Sequence, residues 1–260
     1  MKLSNNLKPF HSDKKNLIRI GPNHDGGYVI DKRIIKQIKF LITCGLNDDW
    51  EFEKQFGLKN KMTKIIAYDH TVNNKFWTQR FIKDFIHFFI LKKLSFLKIK
   101  NIFKYIDYLS FFKKHKHYKL KIDNKEVKNK KITINKILEN KKNTLLKIDI
   151  EGDEYKIIKD ILRNEKKINC LIIEIHKVRQ NLKEIEEFIT KLKHLKLIHI
   201  HGNNIQGQDK YGYAFAYELT FVNNTFERKR TKTKSKYPLE GLDYPNVKRN
   251  KEIAINFKNK

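Results

Sequence analysis

The segment Leu145–Tyr155 constrains the fold more than any other, because in it an apolar strand gives way to the start of a helix. Residues 145–150 are apolar and of strand length, and apolar side chains then recur at helical spacing over 155–162. Asp149 and Glu151 fall at the junction. Ligands of an open α/β sheet bind outside the carboxyl ends of its strands, so we expect both carboxylates to face a binding crevice.

The same alternation of strand and helix recurs along the chain and predicts an α/β fold. Apolar runs of strand length occur at residues 38–44, 64–68, 131–134, 145–150, 170–175, 195–201 and 214–222. Helical patterns separate most of them, which is typical of a mostly parallel sheet with helices on both faces. The last two runs have no helix between them and predict an antiparallel hairpin at one edge. Asp153 and Glu154 have a simple interpretation as caps of the helix at 153–163.

The segment 76–120 interrupts this alternation. Its apolar residues recur at helical spacing among many lysines, as at Ile82, Ile86 and Phe89. We therefore predict one domain over residues 1–260 that carries a basic, aromatic helical insertion at about 76–120. Packing onto the sheet is the favoured role of its apolar residues, and contact with a membrane surface or with single-stranded nucleic acid are the alternatives.

The turn after the strand at 38–44 indicates which cofactor fits. A dinucleotide site needs several glycines so that the backbone can approach a pyrophosphate, whereas here Gly45 stands alone and Asp48 and Asp49 follow it. Two carboxylates at that place repel phosphate and disfavour NAD and nucleoside triphosphates. S-adenosylmethionine carries no phosphate, and its sulfonium and ammonium groups suit an acidic loop.

Asp69 is the candidate for a ribose contact. It lies 24 positions after Gly45, at the end of the strand at 64–68. This separation is comparable to that of the acidic residue that binds a ribose hydroxyl in nucleotide-binding folds. The alternative is a turn or helix cap.

His176 is the candidate general base. It follows the strand at 170–175 and shares one side of it with Glu174. A neutral imidazole near Asp149 can take the proton of a substrate hydroxyl, because the pKa of histidine lies close to working pH. A structural histidine is the competing interpretation.

A divalent metal is an open variant of the same site. Asp149, Glu151, His176, His199 and His201 are all of types that bind such ions, although their dispersed spacing matches no compact metal motif. The sequence therefore leaves metal dependence undecided.

Several short motifs resemble one family of enzymes. They are Arg19-Ile20-Gly21-Pro22, Asp25-Gly26-Gly27-Tyr28-Val29, Gly45-Leu46-Asn47-Asp48-Asp49, Tyr68-Asp69-His70-Thr71, the run from Leu145 to Tyr155, Glu174-Ile175-His176 and His199-Ile200-His201-Gly202-Asn203-Asn204. In this order, over roughly residues 17–250, they resemble the FkbM-type S-adenosylmethionine-dependent methyltransferases. The resemblance implies a class I methyltransferase fold, Rossmann-like with seven strands, and O-methylation, commonly of a sugar hydroxyl. With it we assign the catalytic residues as Asp149, Glu151 and His176, and the cofactor-binding residues as Gly26, Gly27, Tyr28, Gly45, Asp48, Asp69, His70 and Asp149.

The chain is strongly basic, with 57 Lys and Arg residues against 29 Asp and Glu and a net charge of +28. Such a charge favours phosphate-rich or acidic partners, although lysine is abundant everywhere along the chain and a uniformly solvated surface explains much of it. The densest basic run, 228–236, predicts either a loop that holds a phosphorylated or lipid-linked sugar carrier or a solvated connection.

We therefore expect an S-adenosylmethionine-dependent O-methyltransferase of a saccharide hydroxyl in surface glycan biosynthesis. The alternatives are an RNA methyltransferase and a non-catalytic basic protein that binds membrane or nucleic acid on the same fold. No signal-peptide core or spanning segment is evident, and Cys44 and Cys170 show no disulfide or metal spacing, so a cytoplasmic location is expected, with peripheral contact at the inner face of the membrane as a variant.

Overall fold

The fold is described from a computed structural model, which covers residues 2–89, 96–227 and 231–258. In chain order the strands are β1 (Leu17–Ile20), β2 (Tyr28–Asp31), β3 (Phe40–Cys44), β4 (Lys64–Tyr68), β5 (Lys116–Tyr118), β6 (Lys121–Ile122), β7 (Lys131–Ile132), β8 (Thr144–Ile148), β9 (Ile168–His176), β10 (Leu195–Gln208) and β11 (Ala214–Asn223). The α-helices are α1 (Glu51–Lys59), α2 (Asn74–Phe89), α3 (Phe96–Lys114), α4 (Ile134–Ile137), α5 (Glu154–Asn164) and α6 (Leu182–Lys191). Short 3-10 helices lie at Asn5–Leu7, Lys14–Asn16, Lys32–Gln37, Glu165–Lys167 and Val178–Asn181.

The central sheet has seven strands in the order β10-β11-β9-β8-β3-β4-β5. Strands β5, β4, β3, β8 and β9 are parallel, and β11 pairs antiparallel with both β9 and β10. The mostly parallel sheet and the antiparallel edge hairpin are therefore confirmed.

The strand order reverses between β3 and β8, and this reversal determines where the binding crevice lies. From β3 the chain moves outward to β4 through α1, whereas from β8 it moves the opposite way to β9 through α5. Crossovers between parallel strands are right-handed, so helices of opposite crossovers lie on opposite faces of the sheet. The crevice of such a fold opens at the carboxyl ends of the two strands that flank the reversal.

The second parallel strand beyond β3 is not the one that the sequence predicted. Residues 131–134 were expected in the main sheet, but Lys131 and Ile132 pair with β6 in a separate two-stranded sheet. The edge position next to β4 is instead held by β5, which the sequence placed within the helical insertion. Strand β5 has only three residues in a lysine-rich segment, and so short a run lacks the apolar pattern from which a strand is predicted.

Helices α2 and α3 occupy most of the segment predicted as a helical insertion. Trp77 and Tyr108 are buried and form a small aromatic cluster with Trp50, which anchors the two helices beside β4. Not every apolar side chain of α3 packs inward as expected: Phe103 and Ile106 are 64% and 56% exposed. Among the described helices none has the length and apolar character needed to cross a membrane.

Candidate active site

The candidate site lies where β3 and β8 end side by side. Gly45 follows β3 with a φ of +83°, and a Cβ atom added to it would lie 1.6 Å from the carbonyl oxygen of Asp149. The Asp149 amide in turn donates to the Cys44 carbonyl at 2.8 Å. Only glycine permits this contact, so the single glycine of the turn after β3 fixes the distance between the two strand ends.

Two cavities meet at this edge of the sheet. The larger, of about 480 Å³, is lined by predicted cofactor residues and their neighbours, among them Gly26, Tyr28, Gly45, Asn47, Asp49, Asp69, His70, Lys147 and Asp149. The smaller, of about 110 Å³, is lined by Glu174, His176, Asn203, Ile205, Gln206, Phe215 and Ala216. Asp25, Asp149 and Glu151 line both, so the two cavities share an acidic boundary.

Asp69 holds the loop that follows β3. One carboxylate oxygen accepts the amides of Leu46 and Asn47 at 2.8 and 2.9 Å, and the other accepts the amide and hydroxyl of Thr71 at 2.7 and 2.6 Å. Burial raises the pKa of Asp69, but these hydrogen bonds outweigh it and leave the pKa below its usual value. A carboxylate has about four acceptor positions, so protein groups already use its capacity.

Asp48 does not line either cavity, unlike its neighbours Asn47 and Asp49. Its carboxylate instead forms an ion pair with Arg80 of α2 and lies 3.3 Å from the ammonium of Lys104 on α3. Asp48 thus ties the loop to the two helices, and the assignment of this residue to the cofactor is not supported by its position.

The β1–β2 hairpin closes one side of the larger cavity. Gly26, with a φ of +84°, and the buried Tyr28 line it, whereas Gly27 does not. A Cβ atom on Gly27 would lie 2.1 Å from the carbonyl oxygen of Pro22, so this glycine serves the packing of the turn.

Lys147 is a site residue that we did not single out from the sequence. It is buried in β8, its ammonium lies 3.5 Å from a carboxylate oxygen of Glu53, and it lines the larger cavity. Burial lowers the pKa of Lys147, but Glu53, Asp149 and Asp49 outweigh it and raise the pKa above its usual value. A charged residue in the middle of the apolar run 145–150 was the available signal.

Asp149 carries an unsatisfied carboxylate. Within the described part of the chain, nothing hydrogen-bonds to its buried Oδ1 atom. Burial raises the pKa of Asp149 to about 7 despite the positive charges of Lys147 and His176. The boundary between the cavities therefore favours a cation or a hydrogen-bond donor.

His176 projects between several carboxylates. Its Nδ1 lies 3.1 Å from Oε1 of the fully buried Glu154, and its Nε2 lies 3.5 Å from Glu151 and 3.8 Å from Glu174. With Nδ1 donating to Glu154, the Nε2 atom of a neutral ring is left to accept a proton. Burial lowers the pKa of His176, but the bond to Glu154 and the charges of Glu154, Asp149 and Glu151 outweigh it and raise the pKa.

Glu154 is therefore more than a helix cap. The oxygen that meets His176 also accepts the amides of Ile150 and Gly152 at 3.2 and 3.1 Å. Asp153 makes no capping hydrogen bond and forms ion pairs with Lys121 and Lys156 instead.

Asp149, Glu151 and His176 could also hold a metal ion, since each offers one ligand atom and these atoms lie within 4.8 Å of one another. His199 and His201 do not join them. His199 lies 3.1 Å from Asp243, and His201 lies 3.1 Å from Glu218, both buried. The His199–Asp243 pair attaches the segment after β11 to the sheet, whereas the His201–Glu218 pair joins β10 to β11.

Two asparagines missing from the sequence assignments complete the acidic boundary. Asn203 donates to Glu174 at 2.8 Å, and Asn246 donates to Asp25 at 2.9 Å and to Glu218 at 2.7 Å. Each fixes a carboxylate in place. Asn246 lies 221 residues from Asp25, so only the folded chain brings them together.

The basic run 228–236 falls partly outside the described residues, since Arg228, Lys229 and Arg230 are among those not described. Of the remainder, Lys232 donates to the Lys8 carbonyl at 2.7 Å and lies 4.0 Å from the centre of the Phe10 ring. Burial lowers the pKa of Lys232 to about 8. This lysine thus packs against the N-terminal segment.

Counted from the parallel edge, the sheet runs β5-β4-β3-β8-β9-β11-β10, with an acidic cavity at the strand reversal. This arrangement defines a class I methyltransferase. A sequence model of the methyltransferase FkbM domain matches residues 5–196, which is most of the chain. The chain belongs to the FkbM methyltransferase family.

Solved structures with a similar fold are distant. A fibrillarin pre-rRNA processing protein of Methanococcus jannaschii is 10% identical with a TM-score of 0.39, over 73% of this chain and 68% of its own. A methyltransferase FkbM of Methylobacillus flagellatus is 12% identical with a TM-score of 0.38, over 70% of this chain and 44% of its own. A precorrin-6y C5,15-methyltransferase of Geobacter metallireducens is 9% identical with a TM-score of 0.32, over 72% and 80%. No curated protein matches the chain significantly.

Proposed function

We propose that the protein is an S-adenosylmethionine-dependent O-methyltransferase that acts on a saccharide hydroxyl in surface glycan biosynthesis. The observation that carries the proposal is the pair of cavities that share Asp25, Asp149 and Glu151. One cavity is large enough for a nucleoside-sized cofactor, and the other is small and polar, as a single hydroxyl-bearing group requires.

The larger cavity fits the cofactor by charge. Asp49, Asp149 and Glu151 line it, and the buried Oδ1 of Asp149 lacks a donor among the described residues. When bound, S-adenosylmethionine supplies a methyl group on a positively charged sulfur. In this proposal Gly26, Tyr28, Gly45, Asp69 and His70 line its site, and Asp149 faces the positive end.

His176 removes the proton of the acceptor hydroxyl in this proposal. Its Nε2 atom lies 3.5 Å from Glu151 and 3.8 Å from Glu174, which line the smaller cavity with it, while Glu154 holds Nδ1. Asp149 and Glu151 stabilise the imidazolium that forms, and the remaining work is alignment of the hydroxyl oxygen with the methyl group.

The acidic lining of the smaller cavity separates the sugar proposal from the RNA alternative. Asp25, Glu151 and Glu174 line the acceptor position, and the negative charge of the acidic groups there repels a phosphate backbone, although burial raises the pKa of Glu174 well above its usual value. A neutral sugar hydroxyl meets no such repulsion. Phosphate or lipid groups of a carrier would therefore lie outside this cavity, and we place the enzyme in the cytoplasm, where such carriers are assembled.

Methyl transfer to defined acceptors tests the proposal. The protein is incubated with S-adenosylmethionine labelled in the methyl group and with either nucleotide-linked sugars, lipid-linked oligosaccharides or total RNA. We expect label in a sugar fraction, as an ether that resists alkali, and a loss of labelling in His176→Ala. Label found only in RNA would contradict the saccharide proposal and favour an RNA methyltransferase.

A further inference from the structure

A third cavity adjoins the smaller cavity, in which the acceptor hydroxyl is proposed to bind. It has a volume of about 150 Å³ and is lined by Val178, Arg179, Gln180, Asp209, Tyr213, Ala214 and Phe215. Phe215 lines both cavities and is the one residue that they share among those the structure describes, so a molecule that occupies both cavities contacts this side chain.

Exposed aromatic side chains mark this path. Phe215 is 39% exposed and Tyr211, in the loop before β11, is 49% exposed. Aromatic rings of this size are usually withdrawn from water, and their flat faces suit the C–H face of a pyranose ring.

Arg179 supplies a positive group at the outer end of the path. Its guanidinium carbon lies 3.7 Å from the centre of the Tyr211 ring, and its side chain is 48% exposed. The nearest carboxylate, on Asp209, is 3.8 Å away, and none of the described residues accepts a hydrogen bond from the guanidinium. Stacking fixes the plane of the group and leaves its donors available to a ligand. The ammonium of Lys210 lies 5.2 Å from the same ring.

We propose that Phe215, Tyr211 and Arg179 form a second acceptor subsite, which binds an anionic sugar residue next to the sugar that is methylated. The inference rests on the proposed function. The charge balance differs along the path, since acidic side chains line the hydroxyl position, whereas beyond Phe215 two cations, Arg179 and Lys210, accompany one carboxylate, that of Asp209. An acidic acceptor therefore binds in one direction only, with its carboxylate or phosphate at Arg179 and its neutral hydroxyl at His176.

Sugar binding to the whole protein tests the subsite. Glucose, glucuronate and glucose 6-phosphate share one ring and differ at a single carbon, and saturation-transfer NMR with S-adenosylhomocysteine present gives their relative affinities. We expect both anionic sugars to bind about tenfold more tightly than glucose, as one charge-assisted contact supplies, and the difference to shrink with added salt. The tighter of the two identifies the anion as carboxylate or phosphate.

Variants separate the two parts of the subsite. Arg179→Gln should remove the preference for anionic sugars, and Phe215→Ser should weaken all three. Arg163→Gln is the matched control, because Arg163 is 69% exposed on α5 and pairs only locally with Asp160. Equal affinity for the three sugars, no binding of any, or an undiminished preference in Arg179→Gln would overturn the subsite. Calorimetry with S-adenosylmethionine on the same samples reports on the proposed function independently.

Discussion

Replacing His176 by alanine should lower turnover by about 10²–10⁴-fold, the usual contribution of a general base. This corresponds to about 3–5 kcal/mol of transition-state free energy. The size follows from the arrangement of the ring, because Glu154 holds Nδ1 at 3.1 Å and leaves Nε2 toward the acceptor cavity. Cofactor affinity should change little, since His176 lines only the smaller cavity. Release of S-adenosylhomocysteine under saturating cofactor and acceptor measures the turnover.

The pH profile shows whether the histidine acts as a base. The neutral ring is the active form and the pKa of His176 is raised, so the parental rate should rise with pH through a step above the usual histidine value. Glu154→Gln removes the negative charge that raises this pKa, and the step should move to lower pH. His176→Ala should show no such step. His11→Ala, at an exposed histidine of the N-terminal segment, is the control and should match the parent. Near-parental rates for both His176→Ala and Asp149→Asn in folded protein would refute the assignment.

A metal dependence would change the roles of the same residues. If EDTA abolishes turnover and manganese or magnesium restores it, then Asp149, Glu151 and His176 act as ligands, and a metal-bound hydroxyl replaces the histidine base. Full activity in EDTA is the result that the base mechanism requires.

Other substitutions test separate parts of the site. Asp69→Ala should weaken S-adenosylmethionine binding by about one to two decades, because the loop after β3 loses the carboxylate that accepts the Leu46, Asn47 and Thr71 amides, and unchanged affinity in calorimetry would remove Asp69 from the site. Gly45→Ala should lower the melting temperature or prevent folding, because its Cβ would lie 1.6 Å from the Asp149 carbonyl oxygen, and a melting curve like the parent's would contradict the contact. Serine at 228–230 should flatten the salt dependence of acceptor binding if the acceptor is anionic, and equal slopes before and after would indicate a solvated loop. Lys232 is left unchanged because it packs on Phe10.

Much of the sheet could be predicted from the sequence because its strands are long, apolar and bounded by turns. Strands β3 and β8 are predicted by the apolar runs 38–44 and 145–150. The antiparallel hairpin is predicted by the absence of a helical pattern before the run 214–222. By contrast, β5 is three residues long and lysine-rich, so its place at the sheet edge depends on pairing with β4.

The position of a candidate site residue was predictable where it follows from the end of a strand. Gly45, Asp69 and Asp149 directly follow parallel strands and His176 is the last residue of one, and the structure brings all four to one edge. Whether a side chain in a loop faces the cavity was not predictable.

Asp48 illustrates that limit, since it turns to Arg80 while its neighbours line the cavity. The partners of buried charges, such as Glu154 for His176 and Asn246 for Asp25, likewise depend on tertiary contacts that no local pattern shows.

Calorimetric titration with S-adenosylmethionine measures the proposed cofactor site itself. We expect one cofactor molecule to bind per chain, with no heat from NAD or ATP, because the loop after β3 presents Asp49 rather than a phosphate-binding glycine turn. Absence of binding heat with S-adenosylmethionine, confirmed by an unchanged melting temperature in its presence, would contradict the assignment of the larger cavity and leave a protein that has the fold without the reaction.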